Sequence, residues 1–280
     1  MPPVSSHRVF SLADDLALAQ RLADLADAIT LDRYQSIDLV VETKPDLTPV
    51  TDADKAVEKA IREVLAVERP GDVIVGEEFG GVPDGDQHYW VIDPIDGTKN
   101  FLRGIPTWAT LIGLSTPAIS NNEVIVGVVS SPALFRRWHA SAGNGAYVSV
   151  NKSAPAKIRV SQVADLANAS LSYSDLVGWG ARKDSFISLQ EKIWRTRGLG
   201  DFWSHMLVAE GSVDIAIEPS LALWDMAALD IIVREAGGSF TNIDGAPGSH
   251  GKSGVSSNGL LHSAFLDAIT PDSAKAAEGK

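Results

Sequence analysis

The chain has no cysteine among its 280 residues. That absence excludes a disulfide framework, a thiolate nucleophile, zinc–thiolate sites and iron–sulfur clusters, and it fits a reducing compartment. Basic charge is also scarce: 24 Lys and Arg stand against 36 Asp and Glu, a formal net charge of -12. Such a surface repels nucleic acid and anionic lipid, so neither is expected as a partner, and an anionic substrate needs local help such as bound cations. No apolar run reaches the roughly 18 residues of a membrane span, and the opening MPPVSSHRVFSL lacks the apolar stretch of a signal peptide. A soluble, cytoplasmic protein is expected. There is no GxSxG nucleophile elbow and no HExxH pair; His88, His139, His205, His250 and His262 read as structural or exposed.

What is present is the composition of a folded chain, 45% hydrophobic and 21% charged, with seven Trp to fill a core. Leu18, Leu22, Leu25 and Ile29 recur at helical spacing after a possible Ser11 cap and predict a helix over residues 12–33. A second helix follows Thr51 with the stripe Val57, Ile61, Leu65, and Pro70-Gly71 closes it before the β-branched run Val73-Ile74-Val75. From Tyr89 to Val150 the runs YWVI, ATLIGLS, EVIVGVV, LFRRWHA and GAYVSV predict neighbouring strands of one sheet. Beyond NKSAPAK, strands (ASLSYS, VDIAIE, SFTNI) alternate with helices near 184–194, 203–211 and 225–236, a second α/β layer set. The expected division is an N-terminal α+β half over 1–150, a C-terminal α/β half over 151–270 and a flexible tail over 271–280.

Four acidic groups stand where elements start or stop: Asp54, Glu77-Glu78, Asp93 with Asp96, and Asp225. In WVIDPIDGTKNF an apolar strand runs into Asp93, Pro94 fixes the backbone, and Asp96 follows before Gly97-Thr98 opens a turn. Two hard oxygen donors that close suit Mg²⁺, while the Gly97 and Thr98 N–H groups suit a phosphate oxygen. Each group has a simpler explanation alone. Asp54 fits a capping box with Thr51, Asp225 fits the favoured charge at a helix N-terminus, Glu77-Glu78 fits a solvated turn and Asp-x-x-Asp fits an Asx turn. Those explanations leave the grouping of DPIDGT with the other pieces unaccounted for. Two further segments are decoys: GAPGSHGKSG lacks a P-loop glycine at Ala246, and Gly143-Asn144-Gly145 is a hairpin signal.

With GEE upstream, WVIDPIDGTKNF and LWDMAALDIIVREAGG resemble the paired signatures of the inositol-monophosphatase-like family of Mg²⁺-dependent, Li⁺-sensitive phosphatases, over about residues 12–268. The resemblance implies an α/β (α+β) fold, the layered αβαβα sandwich of the sugar/inositol phosphatase type, usually as a homodimer, with two or three Mg²⁺ per site. It implies Glu77, Asp93, Asp96, Asp225 and the carbonyl of Ile95 as metal ligands, and Thr98 with Asp54 as activators of the attacking water. Lys44 and Glu78 match positions near the third metal and its water shell. Electrostatics agrees with such a site, since each like-charge contact at about 4 Å costs about 4 kcal/mol at an effective dielectric near 20, and a substrate phosphate adds close to two more charges.

Within that family the chain is similar to the bacterial histidinol-phosphate phosphatases through TKPDLTPVTDADKAVE, DPIDGTKNFLRGIPTWA, GDFWSHMLVAEGSVDIAIEP and WDMAALDIIVREAGG. This implies hydrolysis of the small phosphate monoester L-histidinol phosphate, in histidine biosynthesis. Glu218 matches the position that meets the substrate's alcohol side, and inositol relatives carry a small neutral residue where Asp201 stands. A carboxylate there makes a charge-assisted hydrogen bond to an ammonium and gains little beside a neutral polyol. The alternative is Asp201 as the N-cap of the next helix. Trp203 and Asn242 are further candidates for imidazole contact, against a core Trp and a turn Asn. The competing functions are an inositol-1-phosphate or broad-specificity polyol phosphatase and, in a different class, an inactive phosphatase-like binding protein.

Overall fold

The computed structural model describes residues 10–45, 48–83, 85–117 and 122–271; apart from Pro271, the expected flexible tail lies outside the described residues. The first half holds α1 (Leu12–Arg33), β1 (Val41–Thr43), β2 (Pro49–Thr51), α2 (Asp52–Glu68), β3 (Val73–Gly76), β4 (Tyr89–Asp96), α3 (Thr98–Leu102), β5 (Ala109–Ser115), β6 (Val124–Ser131), β7 (Arg136–Ser141), β8 (Ala146–Val150) and β9 (Ala156–Lys157). The second holds β10 (Ser170–Tyr173), α4 (Lys183–Gln190), β11 (Arg195–Gly198), α5 (Asp201–Ala209), β12 (Ile215–Glu218), α6 (Leu223–Glu235), β13 (Ser239–Thr241), β14 (Gly254–Ser257) and α7 (His262–Ile269). No helix among the described residues is long and apolar enough to cross a membrane.

Seven strands, β3 to β9 in chain order, form one sheet, with β3 parallel to β4 and the rest antiparallel. Its central strands β4, β5 and β6 are buried along nearly their whole length because both faces are covered. Along β4, Trp90 and Ile92 pack on α1 and α2 through Leu22, Val57 and Ile61, while Tyr89 and Val91 join the core on the opposite face with Met226, Ile231 and Ile232 of α6. The second sheet, ordered β11-β10-β12-β14-β13, closes α5 and α6 into a middle layer. Phe186 and Leu189 of α4 and Phe265 and Ile269 of α7 cover its far side against Leu171, Ile215, Ile217 and Val255. Five layers result, the expected αβαβα sandwich.

Close approach fixes the middle layer. A Cβ on Gly127 of β6 would lie 2.4 Å from Ile231 Cγ2 and 2.8 Å from the Ala228 carbonyl, so α6 sits where only glycine permits. That seating carries Asp225, in the first turn of α6, to the end of the first sheet.

Several local expectations shift. Ser11 caps α1 as expected, through a capping box with Asp14. The buried face of α1 is Leu18, Ala19, Leu22, Ala23, Ala26 and Thr30, with Leu25 and Ile29 only half-buried, because small residues let the helix lie against both α2 and the sheet. The two expected helices near 203–211 and 225–236 begin two residues earlier, at Asp201 and Leu223, and the one near 184–194 ends at Gln190. GAPGSHGKSG forms the loop from β13 into the first residue of β14, Gly254, and Gly143-Asn144-Gly145 is the β7–β8 turn.

Candidate active site

The strand bearing DPID does not stop at Asp93; β4 runs on to Asp96. Asp93 pairs with Leu111 and Asp96 with Ala109, so three steps on β4 meet two on β5. This is a β-bulge, and its extra residue has a chemical consequence. In a regular strand two side chains three residues apart face opposite ways. With the bulge, carboxylate oxygens of Asp93 and Asp96, together with one of Asp225, come within 4.8 Å of one another. Because β3 is parallel to β4 and Gly76 is level with Ile92, Glu77 follows at the same end, its N–H bonding the Ile92 carbonyl at 3.2 Å.

Two backbone N–H groups partly satisfy this cluster: Phe202 N donates to Asp96 Oδ2 and Ala222 N to Asp225 Oδ2, each at 2.7 Å. Asp93 Oδ1 is buried without any hydrogen-bond partner. Burial pushes Asp93 and Asp96 well above the usual carboxylate range, and the neighbouring carboxylates push the same way. Burial likewise lifts Asp225 to about 6. Three converging carboxylates with an orphaned buried oxygen and no guanidinium or ammonium among them fit a hard divalent cation.

Around this centre stand the other expected residues. Asp54 occupies the first turn of α2, where its Oδ2 accepts from Thr51 N at 2.8 Å and Thr51 Oγ1 at 2.5 Å, so the capping box exists. Its Oδ1 is buried and unpartnered, and burial raises Asp54 to about 7, reinforced by Glu78 and Glu77. Capping therefore uses one oxygen and leaves the other without a partner. Thr98 Oγ1 donates to the Ile95 carbonyl at 3.0 Å. Lys44 Nζ bridges Glu77 Oε1 at 2.7 Å and Glu78 Oε1 at 2.6 Å. Burial works against the Lys44 charge, but those two hydrogen bonds outweigh it and hold the ammonium above its usual range.

Asp201 is not an N-cap. Gly200 takes that position, and Asp201 begins α5 at a left-handed φ of 51°, a conformation that costs a non-glycine residue about 1–2 kcal/mol. Three contacts hold it there: Asp201 N donates to Ser174 Oγ at 3.2 Å, its Oδ2 accepts from Asn100 Nδ2 at 3.1 Å, and the next N–H binds Asp96. The carboxylate comes to rest over Gly97, whose Cβ, were there one, would lie 3.3 Å from Asp201 Oδ2 and 2.9 Å from the Thr107 carbonyl; Gly97 also has φ 79°. Ser174 Oγ donates to Glu218 Oε1, and burial raises Glu218 to about 8.

The structure does not bring Trp203 or Asn242 to this cluster. Trp203 packs edge-on against Trp138 and Phe202, centroids 6.0 and 6.1 Å away, with the Arg136 guanidinium 5.8 Å over its ring. Starting α5 at Asp201 turns the indole toward β7. Asn242 is a turn residue whose Oδ1 accepts from Asp244 N and Ala246 N at 2.9 and 2.8 Å. Sequence reasoning passed over Asn100 and Ser174. Asn100 lies inside DGTKNF, where it bridges Asp201 and the Thr107 carbonyl, and its place in that motif was the available signal. Ser174 follows β10 with no sequence mark.

Comparison with known proteins agrees with this geometry. The profile of the inositol monophosphatase family matches residues 12–275. The histidinol-phosphatase of Mycobacterium tuberculosis is 54% identical over 90% of this chain and 96% of its own length. That of Streptomyces coelicolor is 53% identical over 90% and 96%. Among solved structures, the IMPase of Thermotoga maritima is similar with a TM-score of 0.80 at 30% identity, over 91% of this chain and 96% of that one. Agreement this extensive, through both motif-bearing segments and all five layers, means that the chain belongs to the inositol monophosphatase family and is a phosphatase.

Proposed function

We propose that the chain hydrolyses L-histidinol phosphate to L-histidinol and inorganic phosphate in a Mg²⁺-dependent reaction of histidine biosynthesis. The observation that carries the substrate is Asp201, a carboxylate held over Gly97 by Asn100 where a neutral polyol has no use for a charge. The two histidinol-phosphatases above support the same substrate. The reading includes a homodimer inhibited by Li⁺, as the family resemblance implies, and a cytoplasmic location, as expected from the sequence.

Glu77, Asp93, Asp96, Asp225 and the Ile95 carbonyl would hold two or three Mg²⁺. When bound, these ions supply positive charge to the phosphate and acidify water at the site. Thr98 Oγ1, aligned by the Ile95 carbonyl, accepts from the attacking water, and Asp54 Oδ1 takes its proton. Gly97 and Thr98 present N–H groups to the phosphate oxygens. Lys44 holds Glu77 and Glu78 in place, the latter beside the water shell. On the alcohol side Glu218 meets the leaving group, and Asp201 accepts from the substrate ammonium.

The test is phosphate release from L-histidinol phosphate and inositol-1-phosphate at equal concentration with Mg²⁺, with EDTA and Li⁺ controls. A preference of about tenfold or more for histidinol phosphate is the expected outcome, equal to about 1.4 kcal/mol in the transition state. Equal or reversed rates favour the second reading, a polyol phosphatase, which the family match supports.

A further inference from the structure

We propose that Glu58 is a positioning residue for the cation site: its carboxylate clamps the turn at residues 76–80 that carries Glu77 and Glu78, and so sets the divalent-cation affinity. This rests on the cation-dependent reading above. Glu58 lies one helical turn after Asp54 on α2, and Arg62 one turn after Glu58, so the three share a face. Glu58 is wholly buried.

Its two oxygens face the turn. Oε2 accepts from Glu78 N at 2.7 Å and Oε1 from Phe79 N at 3.2 Å. Arg62 Nε donates to the same Oε1 at 2.8 Å, and Arg62 Nη2 donates to the Gly80 carbonyl. One helix thus grips the turn by its donors and its acceptor together. The turn closes on itself through Gly76 N and the Gly80 carbonyl at 3.0 Å, leaving Glu77 between fixed points. Gly76 is shaped for this contact: a Cβ there would lie 1.9 Å from Glu58 Oε1 and 2.3 Å from its Cδ.

Helix formation alone does not call for an acid at a buried position, where an ionised carboxylate needs hydrogen-bond donors to offset its desolvation. The donors here are the backbone of the ligand-bearing turn. Partners that orient ligands from behind change metal affinity by about 10–100-fold when removed.

The experiment titrates Mn²⁺ into metal-free full-length protein and reads free Mn²⁺ by electron paramagnetic resonance, alongside thermal melting. Glu58→Gln is expected to weaken Mn²⁺ binding by about tenfold or more, and Arg62→Met by a smaller factor of about three. Asp230→Asn, which breaks a buried pair with Arg234 elsewhere, is expected to lower the melting temperature and leave Mn²⁺ affinity unchanged. At saturating Mg²⁺, Glu58→Gln should keep the wild-type KM for substrate, which a general loss of packing would not. Wild-type Mn²⁺ affinity in Glu58→Gln overturns the clamp; should that variant not fold, unchanged affinity in Arg62→Met overturns it equally. No Mn²⁺ binding by the wild type overturns the cation-dependent reading and the clamp with it.

Discussion

Among the acidic side chains of the interior two groups stand in contrasting settings, and the contrast separates holding the fold from a fit for cations. In the first, each acid has an arginine: Asp15 with Arg69 at 3.4 Å, Asp230 with Arg234 at 2.7 Å and Asp27 with Arg137 at 2.7 Å. In the second, Asp54, Asp93, Asp96, Asp225 and Glu218 act on one another electrostatically, none of them pairs with an arginine among the described residues, and Lys44 is committed to Glu77 and Glu78. Burial lifts carboxyls in both settings, Asp27 and Asp230 included, but in those two a guanidinium pulls back. In the unpaired set burial dominates, hydrogen bonds from Thr51, Ser174, Phe202 and Ala222 offset it only in part and neighbouring carboxylates add to it, so Asp54 and Glu218 reach about 7 and 8. A paired acid has its counter-charge within the folded chain; the unpaired cluster has none among the described residues and fits cations.

Substitution should break the two settings in opposite directions. The largest effect is expected from Asp96→Asn: Mg²⁺-dependent phosphate release falls about a thousandfold, some 4 kcal/mol, while metal-free stability in urea stays level or rises. Retained turnover would remove Asp96 from the ligand set. Asp230→Asn is the mirror case. It should lower stability by about 1–3 kcal/mol, because it takes the charge from the nearer of Arg234's two carboxylate partners and leaves Glu123 at 3.3 Å, and change turnover less than about threefold.

Asp201→Asn sharpens the comparison within the site. Losing a charge-assisted hydrogen bond of about 1.5–3 kcal/mol should raise KM for histidinol phosphate about 10–100-fold and leave that for inositol-1-phosphate unchanged. Equal losses on both substrates would assign Asp201 to structure alone. Asn100→Leu should reproduce the defect more weakly, since it removes one of the contacts on the carboxylate.

The smallest effect concerns pH. Folding raises Asp225 to about 6, Asp54 to about 7 and Glu218 to about 8, so the folded metal-free chain keeps protons that the unfolded chain releases near pH 4. That contribution to stability is full below pH 4 and is lost as pH rises toward 8. Melting temperature in EDTA should therefore decline over this window more in the wild type than in Asp96→Asn, and Mg²⁺ should flatten the decline.

Much of this was legible in the sequence where the signal is local. The apolar runs mark the first sheet, and WVIDPIDGTKNF marks Asp93 and Asp96 as neighbours because one strand contains them both. The bulge that turns Asp93 and Asp96 the same way was not legible, since it is defined by register against β5. The start of α5 was missed because Asp201 at positive φ after glycine gives no usual capping signal, and Trp203 went with it. Glu58 was passed over for a similar reason: an acid within an amphipathic helix reads as a solvated one, and its partners lie 20 and 21 residues further along.

The central claim is that the unpaired carboxylates form a cation site, and the most direct test is thermal melting of EDTA-stripped protein at pH 8 with increasing Mg²⁺, for the wild type and Asp93→Asn. The account expects the wild type to melt progressively higher as Mg²⁺ is added and the variant to respond weakly, from an equal or higher starting point. A wild type indifferent to Mg²⁺, or an equal upward shift in both proteins, would contradict it.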